Sequence, residues 1–139
     1  TASDSGGTAN GGVDTSAAQT FTITVTAVND APAFTKGADQ SLAEDAGAQS
    51  VTNWATSISP GPANEAAQTV SFSVTGNTNA ALFSAAPTVA ANGTLTFTPA
   101  ANAHGVATIT IAAVDTGGTA NGGVDTSAAQ TFTITVTAV

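Results

Sequence analysis

The chain has 139 residues, with one lysine, no arginine and nine acidic residues, for a formal net charge of −8 at pH 7. Nothing in it can neutralise phosphates, which argues against nucleic acid and anionic lipid surfaces and leaves either attraction of cations such as calcium or plain solubility. It has no cysteine, so disulfides and thiolate metal sites are excluded, and no apolar run approaches the length needed to insert in a membrane.

Taken in order, residues 1–28 read as the end of one repeat and residues 29–139 as one complete repeat. The reason is that Gly6–Val28 (GGTANGGVDTSAAQTFTITVTAV) recurs letter for letter as Gly117–Val139. Self-similarity at a fixed offset marks a repeat array, and an offset of about a hundred residues is the size of a small domain. Gly6, Gly7, Gly11 and Gly12, with the Asn10-Gly11 turn signal, predict a flexible loop. From Thr20 the pattern alternates strictly, with Phe21, Ile23 and Val25 set between threonines, which predicts a strand with an apolar core face.

Asn29-Asp30-Ala31-Pro32 breaks that pattern. Pro32 fixes φ and removes a donor, so a stiff inter-repeat linker is expected, with Phe34 tucking into the following core. Gln40–Glu44 and Gln49–Trp54 read as short strands, and residues 57–66, with Pro60, Gly61 and Pro62, as a loop. Val70–Val74 is a clean strand, while residues 81–83 and 88–89 are short strand candidates. Asn92-Gly93 predicts a hairpin turn into the strand carrying Leu95 and Phe97. Ala107, Ile109, Ile111 and Ala113 form one face of the next strand; the second glycine-rich loop and a last strand over 130–138 follow. No stretch keeps a helical period. About seven short strands with turn signals between them predict an all-β, Ig-like antiparallel sandwich.

Residues 131–139 (TFTITVTAV), which in the first copy run on into Asn29-Asp30-Ala31-Pro32-Ala33-Phe34, resemble the boundary of a cadherin repeat. There a TVTITV-type strand leads into V-N-D-N-A-P-x-F. Residues 41–45 (SLAED) are similar to the glutamate segment near the start of such a repeat, and residues 113–118 (AVDTGG) to its A-x-D-G-G segment. Residues 95–105 (LTFTPAANAHG) resemble the bacterial cadherin-like version, T-Y-T-P-A-A-N-x-N-G. The resemblance covers the whole repeat. It implies a module of large tandem-repeat adhesins and extracellular repeat proteins on the bacterial cell surface.

That resemblance also implies calcium at the repeat boundaries. Asn29 and Asp30 match the linker ligands, Asp115 the A-x-D ligand, and Asn64 a ligand in the loop after the second strand. Glu44 matches the glutamate serving the opposite boundary. Calcium takes six to eight oxygen ligands, which suits these residue types. The D-x-D pair, however, falls near Ser57 and Ser59, the D-R-E motif near Pro99-Ala100-Ala101, and Ala27 stands where linkers usually carry an acid. At most one weakly held calcium per junction is therefore expected. Asp and Asn are equally ordinary turn formers, and that reading stays open.

Other motifs carry less. Asn121–Asp125 stands alone, whereas a calcium-binding β-roll needs consecutive nonapeptides. His104 is the only histidine and sits in a turn-like stretch, with no nucleophile motif to serve, so no enzyme is expected. Lys36 precedes a glycine and is expected to be solvated. The threonine rows at 131–137 and 94–98 resemble ice-binding faces, but sandwich sheets twist. Two functions remain: a structural stalk or filament module, whose partners are neighbouring repeats or identical subunits head to tail, and a protein- or carbohydrate-binding module in which Trp54 would be exposed. Because the two copies are identical, either could fill the last strand of a sandwich, which allows assembly by strand exchange.

Overall fold

The computed structural model describes all 139 residues, and the chain is all-β. Nine strands form: β1 (Ala33–Thr35), β2 (Gln40–Ala43), β3 (Gln49–Val51), β4 (Thr56–Ser59), β5 (Val70–Asn77), β6 (Phe83–Val89), β7 (Leu95–Pro99), β8 (Gly105–Asp115) and β9 (Gln130–Thr137). One sheet has the order β2-β9-β8-β5, a second the order β3-β7-β6, and β1 pairs with β4. All pairings are antiparallel except β2 with β9, which run parallel from Gln40↔Ile134 to Ala43↔Thr137. No helix is long and apolar enough to cross a membrane.

Alternation decides which face is buried. In β8, Ala107, Ile109, Ile111 and Ala113 point inward; in β9, Phe132, Ile134 and Val136 do so, with threonines between them on the outer face. Leu95 and Phe97 of β7 face them from the other sheet, and one apolar cluster joins the two. Phe34 is buried as expected, edge-on to Phe72 with ring centroids 5.1 Å apart. Trp54 is 3% exposed, leans on Phe132 at 4.4 Å and donates its Nε1–H to Ala38 O at 2.9 Å.

Three expectations need correction. Residues 56–59 form a strand and not a loop, because the segment after Pro32 offers them an edge at Ala33↔Ser59 and Thr35↔Thr56. Residues 83–89 make one strand where two fragments were expected; bulges against β7 carry it past the buried Pro87. The third concerns the repeat. Phe132, Ile134 and Val136 are 2%, 0% and 2% exposed, whereas their copies Phe21, Ile23 and Val25 are 83%, 79% and 89% exposed and lie outside any strand. Identical letters meet opposite fates because β9 lies between β2 and β8, while residues 20–27 have no sheet to join.

The glycine-rich loop behaves differently. In both copies it closes with the same bonds: Asp4 N to Asp14 O and Asp115 N to Asp125 O, each 2.9 Å. Ser16 N to Ala2 O is likewise matched by Ser127 N to Ala113 O, and Gly6 N to Asp4 Oδ1 by Gly117 N to Asp115 Oδ1. Asn10 and Asn121 share φ 56° in the left-handed region. The loop is therefore encoded locally and ordered, more than the flexible segment its glycines predict. The strand after it needs tertiary partners.

Candidate functional site

The parallel pairing of β2 with β9 sets two poles. β8 ends at Asp115 beside the start of β9, while β2 ends beside the exit of β9 at Val139, so Asp115 and Glu44 lie at opposite ends of the sandwich. The chain enters at the Asp115 pole. There the Asn29 side chain donates from Nδ2 to Asp115 Oδ1 at 2.9 Å, Val124 O at 2.8 Å and Gly118 O at 3.2 Å. Asn29 O accepts from Val124 N at 2.9 Å, and Asn29 Oδ1 accepts from Gln68 Nε2 at 2.8 Å. The linker is thus plugged into the glycine-rich loop of its own sandwich.

Asp30 follows with its side chain in solvent, and its N–H donates to Glu65 Oε1 at 2.9 Å. Glu65 closes a single 3-10 turn, Ala63–Glu65, which follows Pro62. That turn directs Glu65 inward, 5% exposed, and leaves Asn64 exposed. Of the residues singled out in the sequence, Asn29, Asp30 and Asp115 meet at this pole; Asn64 stands in solvent on the neighbouring turn. Glu65 and Gln68 are the members that sequence reasoning passed over. A family motif pointed to the loop, but only the turn geometry decides which of Asn64 and Glu65 faces in.

Glycine makes this packing possible. A Cβ on Gly117 would sit 1.9 Å from Asn29 Oδ1 and 2.6 Å from Gln68 Nε2, and one on Gly61 would sit 1.9 Å from Glu65 Oε2. At Gly6, the counterpart of Gly117, a Cβ would meet only Asp4 Oδ1, at 3.1 Å.

Three buried oxygens lack a hydrogen-bond partner in the chain: Glu65 Oε2, Gln68 Oε1 and Asp115 Oδ2. All three belong to residues around Asn29 or Asp30. A buried carboxylate with an unpaired oxygen is costly. The only cationic side chain, Lys36, is exposed and donates to Thr131 O. An oxygen-only set of this kind fits a hard cation and does not fit zinc or copper. Nowhere do three acidic, imidazole or thiol side chains converge, so one sandwich alone holds two buried acids short of a full carboxylate cage.

At the other pole Glu44 N donates to Thr137 O at 2.8 Å, and Glu44 Oε1 accepts from Val139 N at 3.0 Å. Its Oε2 lies 3.5 Å from Nδ1 of the exposed His104. Compared with known proteins, the chain matches no family model and no curated relative.

Proposed function

We propose that this chain is a structural module of a bacterial tandem-repeat protein: a cadherin-like sandwich that gives reach and stiffness to an adhesin stalk or extracellular filament, with no catalytic role. The observation that carries the reading is the Asn29 plug. It fastens the incoming linker to the base of the sandwich at Asp115, while the chain leaves at the far pole beside Glu44. In the first copy Val28 runs directly into Asn29-Asp30. In an array, then, the Glu44 carboxylate of one repeat would lie next to Asn29, Asp30, Glu65 and Asp115 of the next. Those residues would hold calcium, whose charge offsets that of the buried carboxylates and favours the ordered linker. Small-angle scattering of two joined repeats tests this. A straighter particle in calcium than in chelator is expected; an equally bent pair with no bound ion would overturn it.

A second reading rests on the exposed Phe21, Ile23 and Val25, which fit the slot of β9. They cannot fill it in their own chain. Val28 would then lie at the Glu44 pole and Asn29 at the Asp115 pole, about 25 Å away along an eight-residue strand, and one peptide link spans about 3.8 Å. Only a second copy can accept them, displacing an identical strand, so pairing is conserved and assembly rises with concentration. Deleting residues 1–28 and finding the same oligomer by light scattering would remove this reading. A sugar- or protein-gripping module has less support, since Trp54 is buried and Phe21 is the one aromatic side chain standing free in solvent.

A further inference from the structure

An open sheet ends in strands whose outer backbone groups have no partner, and proteins guard such edges with charge, proline, bulges or brevity. Most edges here are guarded. β2 has four residues and lies between Lys36 and Asp39 on one side and Glu44 and Asp45 on the other. β3 has three residues, and β6 carries Pro87 and two breaks in register. β5 is the exception. It is eight residues long, has neither proline nor charge, and its backbone pairs with β8 alone. Its apolar side is also incompletely covered: Val70, Phe72 and Val74 are half-buried, with exposed Ser71, Ser73 and Thr75 between them. Phe72 stands at the rim of the core, edge-on to Phe34.

We propose that the outer edge of β5 is a docking site for the β5 edge of a second copy of this chain, paired antiparallel about Phe72. Two observations select that occupant. The first is that Val70-Ser71-Phe72-Ser73-Val74 reads the same in both directions. Turned about a two-fold axis at Phe72, each residue meets its own kind: Val70 faces Val74 of the second copy, Ser71 faces Ser73, and Phe72 faces Phe72. The apolar stripes then join on the core side and the hydroxyls on the other, as a self-complementary two-fold contact requires. The ladder of β5 with β8 is regular over these same five residues and shifts only between Val74 and Gly76. The second observation is charge. Two copies at −8 each repel, so contact forms where acids are absent. Between Glu65 and Asp115 the chain has no acidic residue, lysine or arginine, and β5 lies in that span. Since Val70 is paired with Asp115, the two copies lie with their Asp115 poles at opposite ends.

The register makes the test specific. Sedimentation equilibrium of the full chain, in chelator and from micromolar to millimolar concentration, is expected to show a monomer–dimer equilibrium. Ser71→Asp with Ser73→Asp sets acid against acid twice across the two-fold axis and should weaken the dimer about tenfold or more. Ser71→Lys with Ser73→Asp sets opposite charges at the same two places and should restore it to about the parent's strength or better. Both side chains are exposed, so the urea midpoint of Trp54 emission should stay close to that of the parent in each variant. Hydrogen exchange of the unsubstituted chain gives a second readout, with amides of residues 70–74 slowing as concentration rises. A chain that stays monomeric throughout, or exchange at residues 70–74 that ignores concentration, would overturn the proposal. So would equal weakening by the two double substitutions. An oligomer untouched by either would overturn it as well, and would assign assembly to strand exchange through residues 20–27. Because the measurement is made in chelator on single copies, its failure leaves the calcium junction standing, and the reverse also holds.

Discussion

Asn29 Nδ2 and Asp115 Oδ1 stand 2.9 Å apart across 86 residues of sequence, and the backbone that frames them is glycine where any Cβ would intrude. Asn29→Ala removes one donor from three acceptors and leaves the Asp115 carboxylate with the Gly117 N–H as its only donor. A loss of about 1–3 kcal/mol is expected, read as a lower urea midpoint of Trp54 fluorescence.

Gly117→Ala forces the same plug out by volume, so it should cost about as much as Asn29→Ala, within roughly 1–3 kcal/mol. In the double variant the two losses should overlap strongly instead of adding, because the clash partner is gone. Gly6→Ala, at the matching place of the first copy, should be close to neutral. Equal losses at Gly6 and Gly117 would mean that loop strain, and not Asn29, sets the cost.

The repeated strand offers a comparison at fixed local sequence. Ile134→Ala empties a fully buried site and should cost about 2–5 kcal/mol. Ile23→Ala changes a side chain that is 79% exposed and should leave the melting temperature near that of the parent. Calorimetry of the two variants side by side checks this.

That comparison also shows how far the sequence carries. The strands built on strict threonine alternation, β7, β8 and β9, are legible because one face has to be buried, and the Asn92-Gly93 hairpin because Val89 and Leu95 close it. Residues 20–27 carry the same signal as β9 and form no strand, since alternation states what a segment can pair with and says nothing of whether a partner is present. β4 was hidden for the opposite reason: Thr-Ser-Ile-Ser has little pattern, and its order comes from β1. At the pole, Asn29, Asp30 and Asp115 were legible through their spacing in a family-like boundary. Glu65 was not, because one 3-10 turn exchanges it with Asn64, and Gln68 enters only through the amide of Asn29.

Trp54 is the sole tryptophan and is buried against Phe132. Trp54→Phe keeps part of the ring but loses the bond to Ala38 O. A drop of about 1–2 kcal/mol is expected from that bond and the lost volume, with the fold retained by circular dichroism. Full stability in this variant would mean that the indole is not held in the core.

The central claim, that the pole around Asn29 is a junction stiffened by an ion between repeats, is tested most directly by thermal melts of two joined repeats, first in millimolar calcium and then in chelator. The account predicts a clear calcium-dependent rise in melting temperature that disappears when Asp115 and Glu65 are replaced by asparagine and glutamine. Identical melts in the two buffers, with no ion bound, would contradict it and leave Asn29, Asp30 and Asp115 as parts of a purely hydrogen-bonded hinge.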